Sequence, residues 1–283
     1  ADVIAKSVGF DPCGEERIDA ALLHVLKEAE TGGNLFKNAG NLCIPKAMLV
    51  KKCMELLETP KVKEQLVRLR CQELLNRKEI AVYQDQVYRY ATAKAEEQVA
   101  MRVGERIRQG SIHLRTDLDA EIVRMERMLG VTLASEQRMA VKTCLHSPIS
   151  IITGGPGTGK TMIQRFILEL YKKANPAGSI VCCAPTGRAA RRMEQATGHP
   201  ASTIHKALGL FADADGEYGD PAILDADLVI VDEVSMLDIH LAKHLLNALP
   251  ARCQLILVGD ADQLPSVGPG SILYELLASG AVP

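Results

Sequence analysis

Residues 149–161 read ISIITGGPGTGKT, and this stretch decides the fold. Ile149–Thr153 is a short apolar, β-branched run of the kind that forms a strand buried on both faces. Gly154, four further residues, Gly159, Lys160 and Thr161 then complete a phosphate-loop pattern, and residues 162–171 carry helical spacing. Strand, glycine loop, helix is the context that this pattern needs. Glycines let the backbone N–H groups turn inward, and the helix N-terminus adds partial positive charge, so the loop cradles a polyphosphate. The expected nucleotide contacts are Gly155, Pro156, Gly157, Thr158, Gly159, Lys160, Thr161 and Met162. Lys160 is placed to reach the β- and γ-phosphates, and the Thr161 hydroxyl to bind Mg²⁺. ATP and Mg²⁺ are the cofactors this implies.

Downstream, apolar strand runs alternate with helical segments: 179–184, 228–232 and 255–259 as strands, 189–196 and 239–249 as helices. Such alternation predicts a parallel sheet with helices on both faces, whose ligands gather at the carboxyl ends of the strands. One of these runs ends in Asp232-Glu233. An aspartate here holds the Mg²⁺ shell, and the glutamate after it is placed to deprotonate an attacking water. A second run ends in GDADQLPSVGPG, residues 259–270, which puts Asp260 and Gln263 beside the γ-phosphate. The expected catalytic set is Lys160, Asp232, Glu233 and Gln263, with Thr161 and Asp232 on the metal.

Composition narrows the class. The chain has 283 residues, 47% apolar and 24% charged, with a net charge of −2, as in a soluble globular protein. Its eight cysteines form no CxxC pair, which argues for reduced thiols and a cytoplasmic setting rather than disulfides or zinc. His240 and His244 are spaced i, i+4 but lack the glutamate and third ligand of a zinc helix. With aromatics at 4%, a base-stacking platform has few residues to draw on.

Four motifs together carry a family resemblance. GGPGTGKT (154–161), APTGRAA (184–190), DEVSM (232–236) and GDADQLPSVGPGS (259–271) resemble motifs I, Ia, II and III of superfamily 1 helicases. They are similar in particular to the RecD-like 5′→3′ DNA helicases, over about residues 131–283. The resemblance implies further roles. Gln137 matches the glutamine that reads the adenine edge. Pro185, Thr186, Gly187, Arg188, Thr203, His205 and Pro265 match positions that touch single-stranded DNA. The polar 212–221 segment sits where that family inserts a small hairpin. Single-stranded DNA is then the expected partner of a monomer that needs no membrane. A clamp-loader or remodelling ATPase, or a nucleotide-gated DNA-binding module, is the alternative.

Upstream, residues 1–76 show helical spacing and are expected to be an all-helical accessory domain, with Ala1–Ala5 resembling the end of a helix-hairpin-helix element. Residues 77–130 are expected to form a connector: a β-hairpin around Asp85-Gln86, then helices to Gly130. Residues 131–283 are expected to be a RecA-like motor domain, and the whole a piece of a longer helicase. Its second motor domain would supply transition-state arginines.

Overall fold

The computed structural model describes residues 14–36, 40–58, 62–112, 116–211, 219–264, 266 and 268–283. Pro265, the Ala1–Ala5 element and most of the polar 212–221 segment lie outside the described residues. The chain divides into two compact units, with the main division between Glu97 and Gln98; Asp238–His240 and the described part of 266–270 fall in the first.

The N-terminal unit is built on helices α1 (Glu15–Thr31), α2 (Lys46–Leu57) and α3 (Glu64–Asn76). On α1, Ile18, Leu22, Val25, Leu26 and Ala29 recur at three- and four-residue spacing and are buried. They pack into one core with Leu49 and Cys53 of α2 and with Val67, Cys71 and Leu74 of α3. Gly32 ends α1 at φ 77, a value that suits glycine. The hairpin is β2 (Ile80–Tyr83) and β3 (Gln86–Arg89), turning at Gln84-Asp85 with Gln84 in the left-handed region at φ 57. One feature departs from an all-helical reading of residues 1–76. Cys43–Pro45 is a strand, β1, which pairs antiparallel with β3 and completes a three-stranded sheet in the order β1-β3-β2. It is three residues long and ends in proline, tolerable on an edge and too short to show a period.

The second unit holds helices α5 (Leu118–Leu129), α6 (Ser135–His146), α7 (Lys160–Ala174) and α8 (Gly187–Thr197), preceded by α4 (Tyr90–Ile107), within which the main division falls. Asp117 caps α5 by accepting from the N–H groups of Asp119 and Ala120, and Gly130 closes it in the left-handed conformation. The sheet has five parallel strands: β4 (Ile149–Thr153), β5 (Ile180–Ala184), β6 (Ala201–Thr203), β7 (Leu228–Val231) and β8 (Gln254–Gly259). Their order is β4-β8-β7-β5-β6. The short edge strand β6 is an addition to the four apolar runs of the sequence; its three residues are all half-buried and make no apolar run. A short helix, α9 (Ile204–Ala207), follows it, and α10 (Ile239–Ala248) and α11 (Ile272–Ser279) complete the chain.

One face of the sheet, with Ile152, Cys182, Leu228, Ile230, Ile256 and Val258, packs against Ile122, Val141, Leu145, Phe166, Ile167 and Met193 of α5 to α8. The alternate residues Val229, Val231, Leu255 and Leu257 are just as buried, as a sheet covered on both sides requires. Among the described residues no helix is long and apolar enough to cross a membrane.

Candidate functional site

Strand order brings the motifs together. β8 lies between β4 and β7, with Thr153 opposite Gly259 and Val231 opposite Leu257. The loops that follow these three strands, carrying Lys160, Asp232-Glu233 and Asp260-Gln263, therefore leave the same edge of the sheet.

The phosphate loop turns on two glycines with positive φ, Gly157 at 76 and Gly159 at 84. At Gly159 the positive φ disfavours a side chain, and a Cβ there would also come within 2.6 Å of Gln137 Nε2, so that amide would have to move. Nothing lies within 4 Å of a Cβ built on Gly155, so that side of the loop is open. Lys160 Nζ folds back over the loop, donating to Gly154 O and, at 3.0 Å, to Gly155 O. Among the described residues it forms no ion pair. A cation beside a glycine loop at the head of a 15-residue helix fits a polyphosphate. Thr161 follows it in the first turn of α7, and Met162 packs against the apolar core.

Gln137 ties this loop to α6. Its Oε1 accepts from Ala134 N–H at 3.0 Å and its Nε2 donates to Thr158 O at 2.9 Å. Ser135 is the first helical residue and Ala134 holds the N-cap position, so the start of α6 is closed by the Gln137 side chain. A primary amide has two N–H groups and two acceptor lone pairs. After both contacts one N–H and one lone pair remain, the combination an adenine N6/N7 edge takes.

Glu233 is the unusual residue of the site. Its backbone sits at φ 55, ψ 43, left-handed for a residue with a Cβ, at the head of a 3₁₀ turn over Val234–Met236. Its N–H donates to Asp232 Oδ1 at 2.9 Å, which holds the Asp232 carboxylate against the Glu233 backbone. Burial and then the neighbouring Asp232 push the Glu233 carboxyl above the usual glutamate range, with Asp260 adding to the rise and Arg192 and Lys160 opposing it. A raised carboxyl suits a proton acceptor near neutral pH. Arg192 Nη1 stands 3.9 Å from Glu233 Oε1.

Asp260 is 2% exposed and serves its own loop: its Oδ1 accepts from Asp262 N–H at 3.1 Å and its carbonyl from Gln263 N–H at 3.2 Å. Gln263 Oε1 accepts from Ser235 Oγ at 3.4 Å, so the third loop is joined to the Asp232-Glu233 loop through a serine to which the sequence reading gave no role. The DEVSM motif (232–236) includes Ser235, but nothing in it pointed to residue 263.

The remaining positions cluster around β5 and β6. Pro185 and Thr186 follow β5, and Thr186 Oγ1 caps α8 by accepting from Ala189 N–H at 3.2 Å. Thr203 ends β6 and caps α9 in the same way, through Lys206 N–H at 3.1 Å. A Cβ on Gly187 would lie 4.0 Å from Thr203 Cγ2, so the two loops are neighbours. Arg188 is exposed on the first turn of α8, and His205 is half-buried in α9. No group of three or more His, Cys, Asp or Glu residues capable of holding a metal occurs among the described residues. Thr161 with Asp232 is a hard oxygen set that suits Mg²⁺, which keeps water and takes phosphate oxygens rather than a protein cage.

Residues 137–269 match the family model described as AAA domain. The RecBCD enzyme subunit RecD of Haemophilus influenzae is 40% identical over 163 residues, which cover 50% of this chain and 26% of that protein. The ATP-dependent RecD2 DNA helicase of Deinococcus radiodurans is 39% identical over 150 residues, 51% of this chain and 20% of that protein. Among solved structures, a Pif1 helicase from Candida albicans aligns with a TM-score of 0.36 at 25% identity, covering 48% of this chain and 34% of that one. The chain thus spans about a quarter or less of the length of the two RecD-type relatives. The P-loop region of this chain, on a RecA-like parallel sheet, is homologous to the corresponding region of the RecD and RecD2 helicase proteins.

Proposed function

We propose that the chain carries the first motor domain of an ATP-dependent DNA helicase that moves along single-stranded DNA in the 5′→3′ direction. The observation that carries this reading is the side-by-side exit of the Lys160, Asp260-Gln263 and Asp232-Glu233 loops from β4, β8 and β7. The RecD-type similarity supports DNA as the substrate, and the direction rests on the family resemblance of the motifs.

In this reading the loop N–H groups and Lys160 bind the β- and γ-phosphates, and Gln137 presents its remaining N–H and lone pair to the adenine edge. Thr161 and Asp232 would hold Mg²⁺, whose contribution when bound is to neutralise phosphate charge. Glu233, with its raised carboxyl, accepts the proton of the attacking water. Gln263, joined to Ser235, relays the state of the γ-phosphate to the segment after Glu233. The loops at Pro185–Arg188 and Thr203–His205 hold the backbone of a single strand, and Pro265 matches a further DNA-contacting position by family resemblance. Contacts of this kind go to phosphates rather than base edges, so binding is indifferent to sequence and weakens with salt.

Family members complete the hydrolytic site with arginines from a second motor domain, so this chain by itself is proposed to hydrolyse ATP slowly and not to unwind DNA. The test is steady-state ATP hydrolysis by the full-length natural protein, with and without oligo(dT). Strong stimulation that disappears in Lys160→Ala supports a DNA-tracking motor. Lys160-dependent hydrolysis indifferent to DNA would transfer the site to the clamp-loader or remodelling class.

A further inference from the structure

Arg192 lies on α8 one turn beyond Arg188, and both are exposed, so the two guanidinium groups share one face of the helix. That helix opens at Thr186, in the loop assigned above to the DNA backbone. Its other connection is to the hydrolytic site. Arg192 Nη1 is 3.9 Å from Glu233 Oε1, with the arginine side chain 70% exposed and the glutamate 24%. Among the described residues Arg192 is the one ion-pair partner of Glu233. The left-handed backbone at Glu233 sets where its side chain begins, and the contact with Arg192 then biases where the carboxylate points. The pair is long and solvent-facing, so it is weak. A phosphodiester offers a guanidinium a charge-assisted, bidentate alternative that a carboxylate at 3.9 Å does not match.

We infer that Arg192 couples strand occupancy to hydrolysis: in the absence of DNA it holds Glu233 aside, and a strand phosphate lying along Arg188 and Arg192 takes the guanidinium and frees the carboxylate. This inference rests on the motor reading above and adds to it a route by which DNA raises the rate. Arg192 is a positioning residue in this scheme, because it acts through Glu233. No bond is made or broken in the step; one ion pair is exchanged for another.

The experiment is steady-state ATP hydrolysis by the full-length natural protein and its Arg192→Ala and Arg192→Lys variants, titrated with oligo(dT). Both substitutions are at an exposed helix position, so folding is retained. Arg192→Ala is expected to raise the DNA-free rate about two- to fivefold, the size of a released exposed ion pair. Stimulation by DNA should fall by a similar factor, and Arg192→Lys should restore part of the restraint. An arginine that merely touches phosphate gives a different split: the DNA-free rate stays the same and only the oligo(dT) concentration for half-stimulation rises. That result, or a DNA-free rate that falls, would overturn the coupling while leaving the motor reading intact. Absence of Lys160-dependent hydrolysis in the unsubstituted protein would overturn both.

Discussion

The two units use charged side chains for different ends. In the N-terminal unit, carboxylates are buried against arginines. Asp19, 8% exposed, accepts from Arg70 Nε at 2.8 Å and Nη2 at 2.6 Å, and from Arg77. Glu30, 3% exposed, is held by Arg89 at 2.9 Å and by the Thr92 hydroxyl. Burial raises the Asp19 carboxyl, but hydrogen bonds from Arg70 and Arg77 outweigh it and the net shift is downward. At the strand ends of the second unit the arrangement is inverted. Asp232, Glu233 and Asp260 converge with one arginine at ion-pair distance of 3.9 Å, and the Glu233 carboxyl is shifted upward. Complete pairing fixes a fold. Incomplete pairing leaves charge available for a ligand, at a cost in local stability. The second unit also pairs fully where it has no site: Glu126 accepts from Leu133 N–H and from Arg138, both at 2.7 Å.

Substitutions in each region should separate these uses. Glu233→Gln is expected to lower hydrolysis in the full-length protein by about 10²–10⁴-fold, the usual contribution of a general base, and to leave thermal stability nearly unchanged. Asp19→Ala should do the reverse. Removing one member of a buried pair costs about 3–5 kcal/mol, read as a lower midpoint in urea, with ATP turnover per folded molecule unaltered. A loss of stability in Glu233→Gln as large as that in Asp19→Ala would erase the contrast. Acid sharpens it. With its pKa depressed in the fold, Asp19 contributes stability fully above the unfolded carboxylate value of about 3.9, and that contribution fades as pH falls through the lower folded value. The gap in stability between the natural chain and Asp19→Asn should therefore close in strong acid and stay constant from pH 6 to 8.

Smaller effects follow from single amides. Gln137→Ala removes two hydrogen bonds to the backbone and should weaken ATP binding about tenfold, with a loss of preference for adenine over guanine nucleotides. An unaltered preference would leave Gln137 as a helix cap alone. Gln164, 1% exposed on α7, has no hydrogen-bond partner for either amide atom among the described residues. Gln164→Met should stabilise the second unit by about 1 kcal/mol, because a buried amide without a partner costs more than a thioether of similar shape.

Much of the second unit was legible because its strands are apolar runs that end in glycine loops or paired carboxylates; 149–153, 180–184, 228–231 and 254–259 form where the pattern puts them. The strand order was not legible. That β8 separates β4 from β7 depends on pairing across more than twenty residues, which local periodicity does not encode. Strands β1 and β6 escaped for a related reason, since three residues at an edge need no apolar run. At the site, the placement of Lys160, Asp232 and Glu233 just beyond strand ends could be read from residue type and spacing. The left-handed Glu233, the Ser235–Gln263 bond and the reach of Arg192 could not, because each is fixed by tertiary placement of loops from different strands.

The claim that incomplete charge pairing at the strand ends marks a nucleotide site is tested most directly by equilibrium binding of a fluorescent ATP analogue to this 283-residue chain. Binding that requires Mg²⁺, is competed by ATP and is lost in Lys160→Ala while the melting curve stays unchanged is the predicted result. Binding that ignores Mg²⁺ and survives Lys160→Ala, or no binding by a folded chain, would contradict it.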